Sequence, residues 1–391
     1  MSDNKTIKQL IGKTFMEIAD AMQTGSFGKR VKVGLTTLGS EHGTSNLVKG
    51  AELAARSSND FEIVLIGPKV DTTLEVVEAN NEIEAHKKME ELLDSGSIDA
   101  CVTMHYNFPI GVATVGKVVT PGMGKEMLIA TTTGTSSSNR VEAMVRNALY
   151  GIITAKAMGI EDPTVGILNV DGARQVERIL KGLNSNGYKV NFSESVRSDG
   201  GAVMRGNDLL AGSTDVMVTD TLTGNILMKV FSSYTTGGSY EAMGYGYGPG
   251  VGENFDRIIL ILSRASGAPV VANAIKYAAK LAAGNLIEIS KKEFLGAKAA
   301  KLDELLGTVT KEVKKAEANE TVVAPPKEVV TGAIAGVDIM QLEDAVKELW
   351  KCGIYAESGM GCTGPIVMVS EEKIDKARKI LEAADFLTSS K

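Results

Sequence analysis

Short apolar segments alternating with longer helical ones constrain this chain more than any other feature. VKVGLTTL (31–38), FEIVLIG (61–67), DACVTMH (99–105), MLIATT (127–132), TVGILNV (164–170), DVMVTDT (215–221) and DRIILILSRA (256–265) are separated by stretches such as NLVKGAELAARS, RVEAMVRNALYGIITAKAMG and VVANAIKYAAKLAAG. The strand candidates are apolar along their length, not at every second position. Such strands must be covered on both faces, and the intervening helices supply the cover, as in parallel α/β sheets. The pattern predicts a doubly wound α/β body over residues 31–295, with a mostly parallel sheet and helices on both faces.

The flanks differ. Residues 1–30 read as one amphipathic helix, with Ile7, Leu10, Ile11, Phe15, Ile18 and Met22 at helical spacing. Residues 296–330 read as a solvated Lys/Glu/Ala-rich helix and a linker around Pro325-Pro326. Residues 331–391 read as a small C-terminal α-β-β-α unit carrying SGMGCTGPIVMVS. A net charge of −6 gives no basic footprint for nucleic acid or an anionic membrane, and 5% aromatics offer few stacking platforms. No apolar run is long enough to span a bilayer, the first ten residues lack a signal-peptide core, and the three cysteines form no framework, so a cytoplasmic protein is expected. Neither HxxxH, CxxC nor a carboxylate cluster at ligand spacing occurs, so no metal is expected.

Ligands of open parallel sheets bind beyond the carboxyl ends of the strands. Four loops rich in Gly, Ser and Thr are expected on that edge: 36–46, 131–140, 219–225 and 241–254. Small residues let backbone N–H groups approach an anion, and helix starts carry positive potential. Candidate phosphate or acyl ligands are Ser40, Thr133, Gly134, Asp220, Thr223, Gly224, Asn225, Lys229, Gly246 and Gly248. The same residues also make ordinary turns and caps; Asp220 suits a helix cap and Lys229 a solvated helix position. None of the loops matches GxxxxGK[ST], and no dinucleotide-binding GxGxxG is recognised.

Residues 31–67 and DLLAGSTDVMVTDTLTGNILMK (208–229) resemble the PlsX-type phosphate acyltransferases, which carry a Gly-Gly-Asp-His turn and an Asp-x-x-x-Gly-Asn-x-x-x-Lys segment. This chain departs from them at Gly39-Ser40-Glu41-His42, at Asn107-Phe108-Pro109, and in its C-terminal unit. A PlsX-like body followed by Gly361-Cys362-Thr363-Gly364-Pro365 resembles the alpha subunits of component C of the glycine, sarcosine and betaine reductase complexes. The resemblance implies a fold like that of PlsX, phosphotransacetylase and isocitrate dehydrogenase. It implies transfer of an acetyl group, held as a thioester, to orthophosphate as substrate, with no bound cofactor. It also implies a ketoacyl-synthase-like beta subunit as partner, selenoprotein A as the acetyl source, and a homodimer. An acyl-carrier-protein:phosphate acyltransferase and a non-catalytic acyl-binding scaffold are the alternatives.

A thiolate is both a good attacker and a good leaving group for thioester exchange. Position alone leaves Cys362 open between turn residue and nucleophile; the resemblance makes it the nucleophile. Gly361, Thr363 and Gly364 would then support an oxyanion through backbone N–H groups. Nothing beside Cys362 in sequence activates it, so a base must come from elsewhere, with His42 first and His105 second. Cys101, in an apolar strand, and Cys352, beside Trp350 on an amphipathic helix, read as packing residues.

Overall fold

The computed structural model describes residues 11–12, 14–16, 18–19, 30–197, 200–308, 322–338, 341–361, 364–384 and 386–387. The chain divides into two compact units, Met1–Leu168 with Leu180–Leu302, and Asn169–Ile179 with Asp303–Lys391.

The first unit is built on one large mixed sheet. Its strands are β1 (Val31–Thr36), β2 (Phe61–Gly67), β3 (Glu75–Glu78), β4 (Ala100–Thr103), β5 (Val112–Val119), β6 (Glu126–Thr135), β7 (Thr164–Leu168), β8 (Asn191–Phe192), β9 (Val203–Met204), β10 (Val216–Val218), β11 (Gly248–Val251) and β12 (Ile259–Ile261). They lie in the order β3-β2-β1-β4-β12-β11-β5-β6-β10-β7-β8, and β9 also pairs with β7. The helices are α1 (Gly43–Ser57), α2 (Glu82–Asp94), α3 (Arg140–Ala157), α4 (Ala173–Ser185, of which residues 173–179 fall in the second unit), α5 (Gly206–Ala211), α6 (Thr221–Ser233), α7 (Ala268–Ala283) and α8 (Leu286–Ala299). The alternation forces this arrangement: β1, β4, β10 and β12 end in wholly buried runs, and such runs need helices above and below.

Both faces are covered. Gly151 of α3 packs over Ala130, and Gly224 of α6 over Ile129. Successive strand residues point to opposite faces, so α3 and α6 cover opposite faces of β6. Further along α6, Met228 lies over Gly116 of β5, so the helix runs from β6 across β5. Gly50 brings α1 against Val271 of α7.

The sheet differs from expectation in its middle. The strands β2, β1, β4 and β12 are mutually parallel, and so are β6, β10, β7 and β8. Between these halves β11 is antiparallel to both β12 and β5, and β5 is antiparallel to β6. The two parallel halves therefore point in opposite directions. The loop after β1 and the loop after β10 leave opposite edges, which corrects the expectation of four loops on one edge. Segment 131–140 is also less of a loop than expected, because β6 continues through Thr135. Segment 241–254 contains the strand β11. Gly248 opens that strand paired with Ile261, the last residue of β12, so residues 240–247 sit at the rim where β1, β4 and β12 end.

The tail of the body is packed, not solvated, at its start: Phe294, Ala297, Ala300 and Leu302 are buried. Of the amphipathic N-terminal segment, the described residues between 11 and 19 are helical, with Ile11, Phe15 and Ile18 exposed; Ile7, Leu10 and Met22 lie outside the described residues. No helix among the described residues is long and apolar enough to cross a membrane.

Within the second unit, β13 (Gly332–Ala335), α9 (Leu342–Lys351), β14 (Ala356–Gly361), β15 (Gly364–Val369) and α10 (Ile374–Ala383) follow in order. The strands form an antiparallel sheet in the order β13-β15-β14. The expected α-β-β-α unit thus gains a strand at its front, which four residues around two alanines had hidden. Ile334 of that strand joins Val346, Leu349, Ala356, Val367 and Leu381 in a core of its own.

Candidate functional site

Three chain segments meet at the rim where β1 and β12 end. The turn Gly39–His42 leads from β1 into α1, Ser263–Gly267 leads from β12 into α7, and Tyr240–Tyr247 leads into β11. Backbone bonds tie them: Glu41 N donates to Arg264 O at 2.9 Å, Glu241 N to Ala265 O at 3.0 Å, and Gly267 N to Glu241 O at 2.8 Å. Asn46 clamps the two helix starts, donating to Ser266 O and accepting from Ala268 N, both at 3.0 Å.

His42 stands at the start of α1. Its Nε2 lies 3.2 Å from Ala265 O. A carbonyl only accepts, so Nε2 carries a proton, and in the neutral ring Nδ1 is the nitrogen with the lone pair. Its ring meets Tyr240 edge-on at 6.1 Å. Ser40 Oγ accepts from His42 N at 3.1 Å. No side chain caps α1 and its first turn has no acidic residue, so no carboxylate is bonded into the positive end of this helix.

Lys229 reaches the same rim from α6, with Nζ 5.8 Å from the centre of the Tyr247 ring. Burial opposes its charge, but Tyr247, Glu241 and Glu41 outweigh that and hold its pKa above the ordinary value. Glu241 is only 4% exposed. Its Oε2 accepts from Ser266 Oγ at 3.2 Å. Burial pushes its carboxyl above the ordinary range, against the opposing pull of Ser263, Lys229 and Ser266, and with help from Glu41. Burial, followed by Glu241, likewise raises the Tyr247 hydroxyl.

The remaining predicted residues gather elsewhere, around the start of α6. Asp220 caps this helix: Oδ1 accepts from Thr223 N at 3.0 Å, Oδ2 from Thr223 Oγ1 at 2.6 Å, and Arg140 Nη2 donates to Oδ2 at 3.1 Å. A carboxylate thus already occupies the positive end of α6. Gly224 lets the helix touch β6, and Asn225 Nδ2 donates to Thr132 O at 3.0 Å. Thr133 and Gly134 lie in the last part of β6, against Thr114 and Val112 of β5. Thr132 Oγ1 donates to Tyr247 O at 2.8 Å and links the two groups. Ser40, His42, Lys229, Gly246 and Gly248 therefore belong to the rim cluster; Thr133, Gly134, Asp220, Thr223, Gly224 and Asn225 form the support of α6.

Sequence reading missed Glu241, Tyr247, Ser263 and Ser266. Loop 241–254 drew notice for its glycines alone, and Ser263–Gly267 is a further small-residue turn before a helix. Of the thiols, Cys101 is buried, and burial pushes its pKa far up. Cys352 is exposed at the end of α9, not packed as expected, because the side of the helix at Val346 and Leu349 takes the core. Cys362 and Thr363 lie outside the described residues. Their neighbours Gly361 and Gly364 face each other as a pair of the β14–β15 ladder.

The family model for fatty acid synthesis proteins matches residues 31–368, and the chain belongs to this PlsX-like phosphate acyltransferase family. Within it the chain falls with the component C alpha subunits. It is 73% identical over 384 residues to the glycine/sarcosine/betaine reductase complex component C subunit alpha of Peptoclostridium acidaminophilum, covering 98% of this chain and 99% of that protein. The phosphate acyltransferase of Thermotoga petrophila is 27% identical over 239 residues, 51% of this chain and 67% of that enzyme. Among solved structures, a branched-chain phosphotransacylase from Enterococcus faecalis V583 aligns with a TM-score of 0.47 and 14% identity, covering 64% of this chain and 99% of that one.

Proposed function

We propose that this chain works as the alpha subunit of component C of a glycine, sarcosine or betaine reductase complex, and that it transfers an acetyl group from a thioester to orthophosphate. The near end-to-end identity to the Peptoclostridium acidaminophilum subunit carries this reading. The partner would be the component C beta subunit, and the acetyl group would originate on selenoprotein A.

In the first step the Cys362 thiolate attacks the donor carbonyl. A new C–S bond forms and the donor's thiol leaves, with backbone N–H groups of Gly361, Thr363 and Gly364 supporting the oxyanion. In the second step an oxygen of orthophosphate attacks the acetyl carbonyl, the C–S bond to Cys362 breaks, and acetyl phosphate departs. The rim cluster suits the phosphate: Lys229 supplies charge, the start of α1 with Ser40 supplies N–H groups and a hydroxyl, and His42 Nδ1 can accept a proton. Asp220, Thr223, Gly224 and Asn225 would serve by fixing α6 and so Lys229.

Arsenate-dependent breakdown of acetyl phosphate tests this, because the acyl arsenate formed hydrolyses unaided. The full chain and Cys352→Ala should be active, and Cys362→Ala should lose activity by about a thousandfold or more. Equal rates in all three would make Cys362 a turn residue and remove the covalent step.

A further inference from the structure

The rim cluster holds more negative charge than an anion site needs. Lys229 comes from α6, and Glu41 and His42 from the turn before α1. Tyr240, Glu241 and Tyr247 come from the segment before β11, and Arg264 from the turn before α7. His42 is engaged with Ala265 O, and Arg264 Nη2 lies 3.9 Å from Glu82 Oε2, on the α2 side. Lys229, with Nζ 5.8 Å from the centre of the Tyr247 ring, thus feels the charges of two carboxylates, Glu41 and Glu241. Glu41 is exposed and has water to solvate its charge. Glu241 has almost none, and Ser266 Oγ donates to its Oε2 at 3.2 Å. A buried carboxylate of this kind is tolerated where a cation's charge offsets its burial, as that of Lys229 does here.

An oxyanion placed on Lys229 would take that cation's field for itself and bring a third negative charge beside Glu41 and Glu241. The buried carboxylate is then the group least able to stay ionised. We infer that Glu241 is a positioning residue whose proton follows the anion: it is the ionised counter-ion of Lys229 in the empty site, and it takes up one proton from solvent when an oxyanion such as orthophosphate occupies Lys229. The inference rests on the phosphate-binding reading of the rim cluster given above. Its consequence is that binding depends on pH through a side chain that need not touch the ligand. With its carboxyl protonated, Glu241 keeps its segment joined to the turn before α7, because its backbone bonds to Ala265 and Gly267 are unchanged.

Titration calorimetry of the full-length chain with inorganic phosphate, in two buffers of different ionisation heat, measures the protons taken up on binding. Phosphate's own titration is common to every variant and cancels in the comparison. The wild-type chain should take up as much as one proton more than Glu241→Gln. Above the pH at which Glu241 ionises in the empty site, its phosphate affinity should fall more steeply than the variant's, by about tenfold per pH unit. Ser266→Ala keeps the carboxyl but removes one of the two hydroxyls, with that of Ser263, that favour its ionised form, so the break in the wild-type profile should move to higher pH. Equal proton uptake and equal slopes in wild type and Glu241→Gln would overturn the inference while leaving phosphate binding intact. An unmoved break in Ser266→Ala would overturn it too, even if Glu241→Gln failed to fold. Absence of phosphate binding at every pH would overturn the reading of the site and the inference with it.

Discussion

Gly224 is held to glycine by contact. Its backbone is helical, yet a Cβ there would lie 1.8 Å from Thr131 O and 3.2 Å from Ile129 Cγ2. Neither atom can retreat, since both belong to β6, a strand inside the sheet. Gly224→Ala must lift α6 from the sheet, at about 1–3 kcal/mol, and Lys229 rides on the lifted helix. Urea unfolding should register the loss of stability, and phosphate affinity should fall in the same variant; an unchanged midpoint would mean that α6 is not seated by this contact. The sequence offered Gly224 as a candidate ligand-loop residue, since Gly beside Thr and Asn fits either purpose. Lys229 could be chosen because it closes the Asp-x-x-x-Gly-Asn-x-x-x-Lys segment that begins at Asp220. Glu241 could not: its burial depends on α7 and on the turn after β12, which no local pattern reports.

At the scale of elements, the short helix α5 depends on one carboxylate. Asp208 is fully buried and accepts from Ser195 Oγ at 2.9 Å, Val196 N at 2.8 Å, Arg205 N at 2.8 Å and Ser213 Oγ at 3.2 Å. Burial alone would raise its pKa, but the N–H donors of Arg205 and Val196 and the two hydroxyls outweigh burial and hold it below the ordinary 3.8. The folded state therefore favours the ionised form. This stabilisation is full above the ordinary value and is lost as pH falls below it towards the lowered folded value. Asp208→Asn keeps the shape but turns an amide N–H₂ towards groups that donate, and should cost about 2 kcal/mol at neutral pH. Urea midpoints of the two proteins should converge as the pH is lowered; a constant gap would mean that charge is not what holds this loop. Regular elements with long apolar periods, such as α3 and α7, are legible in the sequence. β5, β11 and β13 are not: Gly116 and Lys117 interrupt one, two glycines and a proline make up most of another, and the third is Gly-Ala-Ile-Ala. Their strand character comes from neighbours in space.

For the molecule as a whole, the two halves of the large sheet are joined through one short strand. The four residues of β11 pair with β12 through Gly248 and Pro249, and with β5 through Gly250 and Val251. A Cβ at Gly250 would fall 2.3 Å from Phe108 Cε1, in a ring cluster that includes Tyr106 and Phe255. Gly250→Val should therefore wedge the halves apart, and calorimetry should resolve two transitions in the body of the variant against one expected for the wild type. A single transition at an unchanged temperature would mean that the rings repack. The fold class was legible because alternation and burial run together over most of the body. The reversal was not legible, since strand direction leaves no mark on composition. It does leave a mark on time. Ile259 pairs with Cys101 across the entire intervening half of the sheet. As the chain emerges during synthesis, β1 to β4 stand with one edge unfilled until β10, α6 and β11 have been made and β12 returns to close them. Pairing at such separation is slow, so the early half must wait for the late one, and the rim that would hold an anion is assembled only at that closing step.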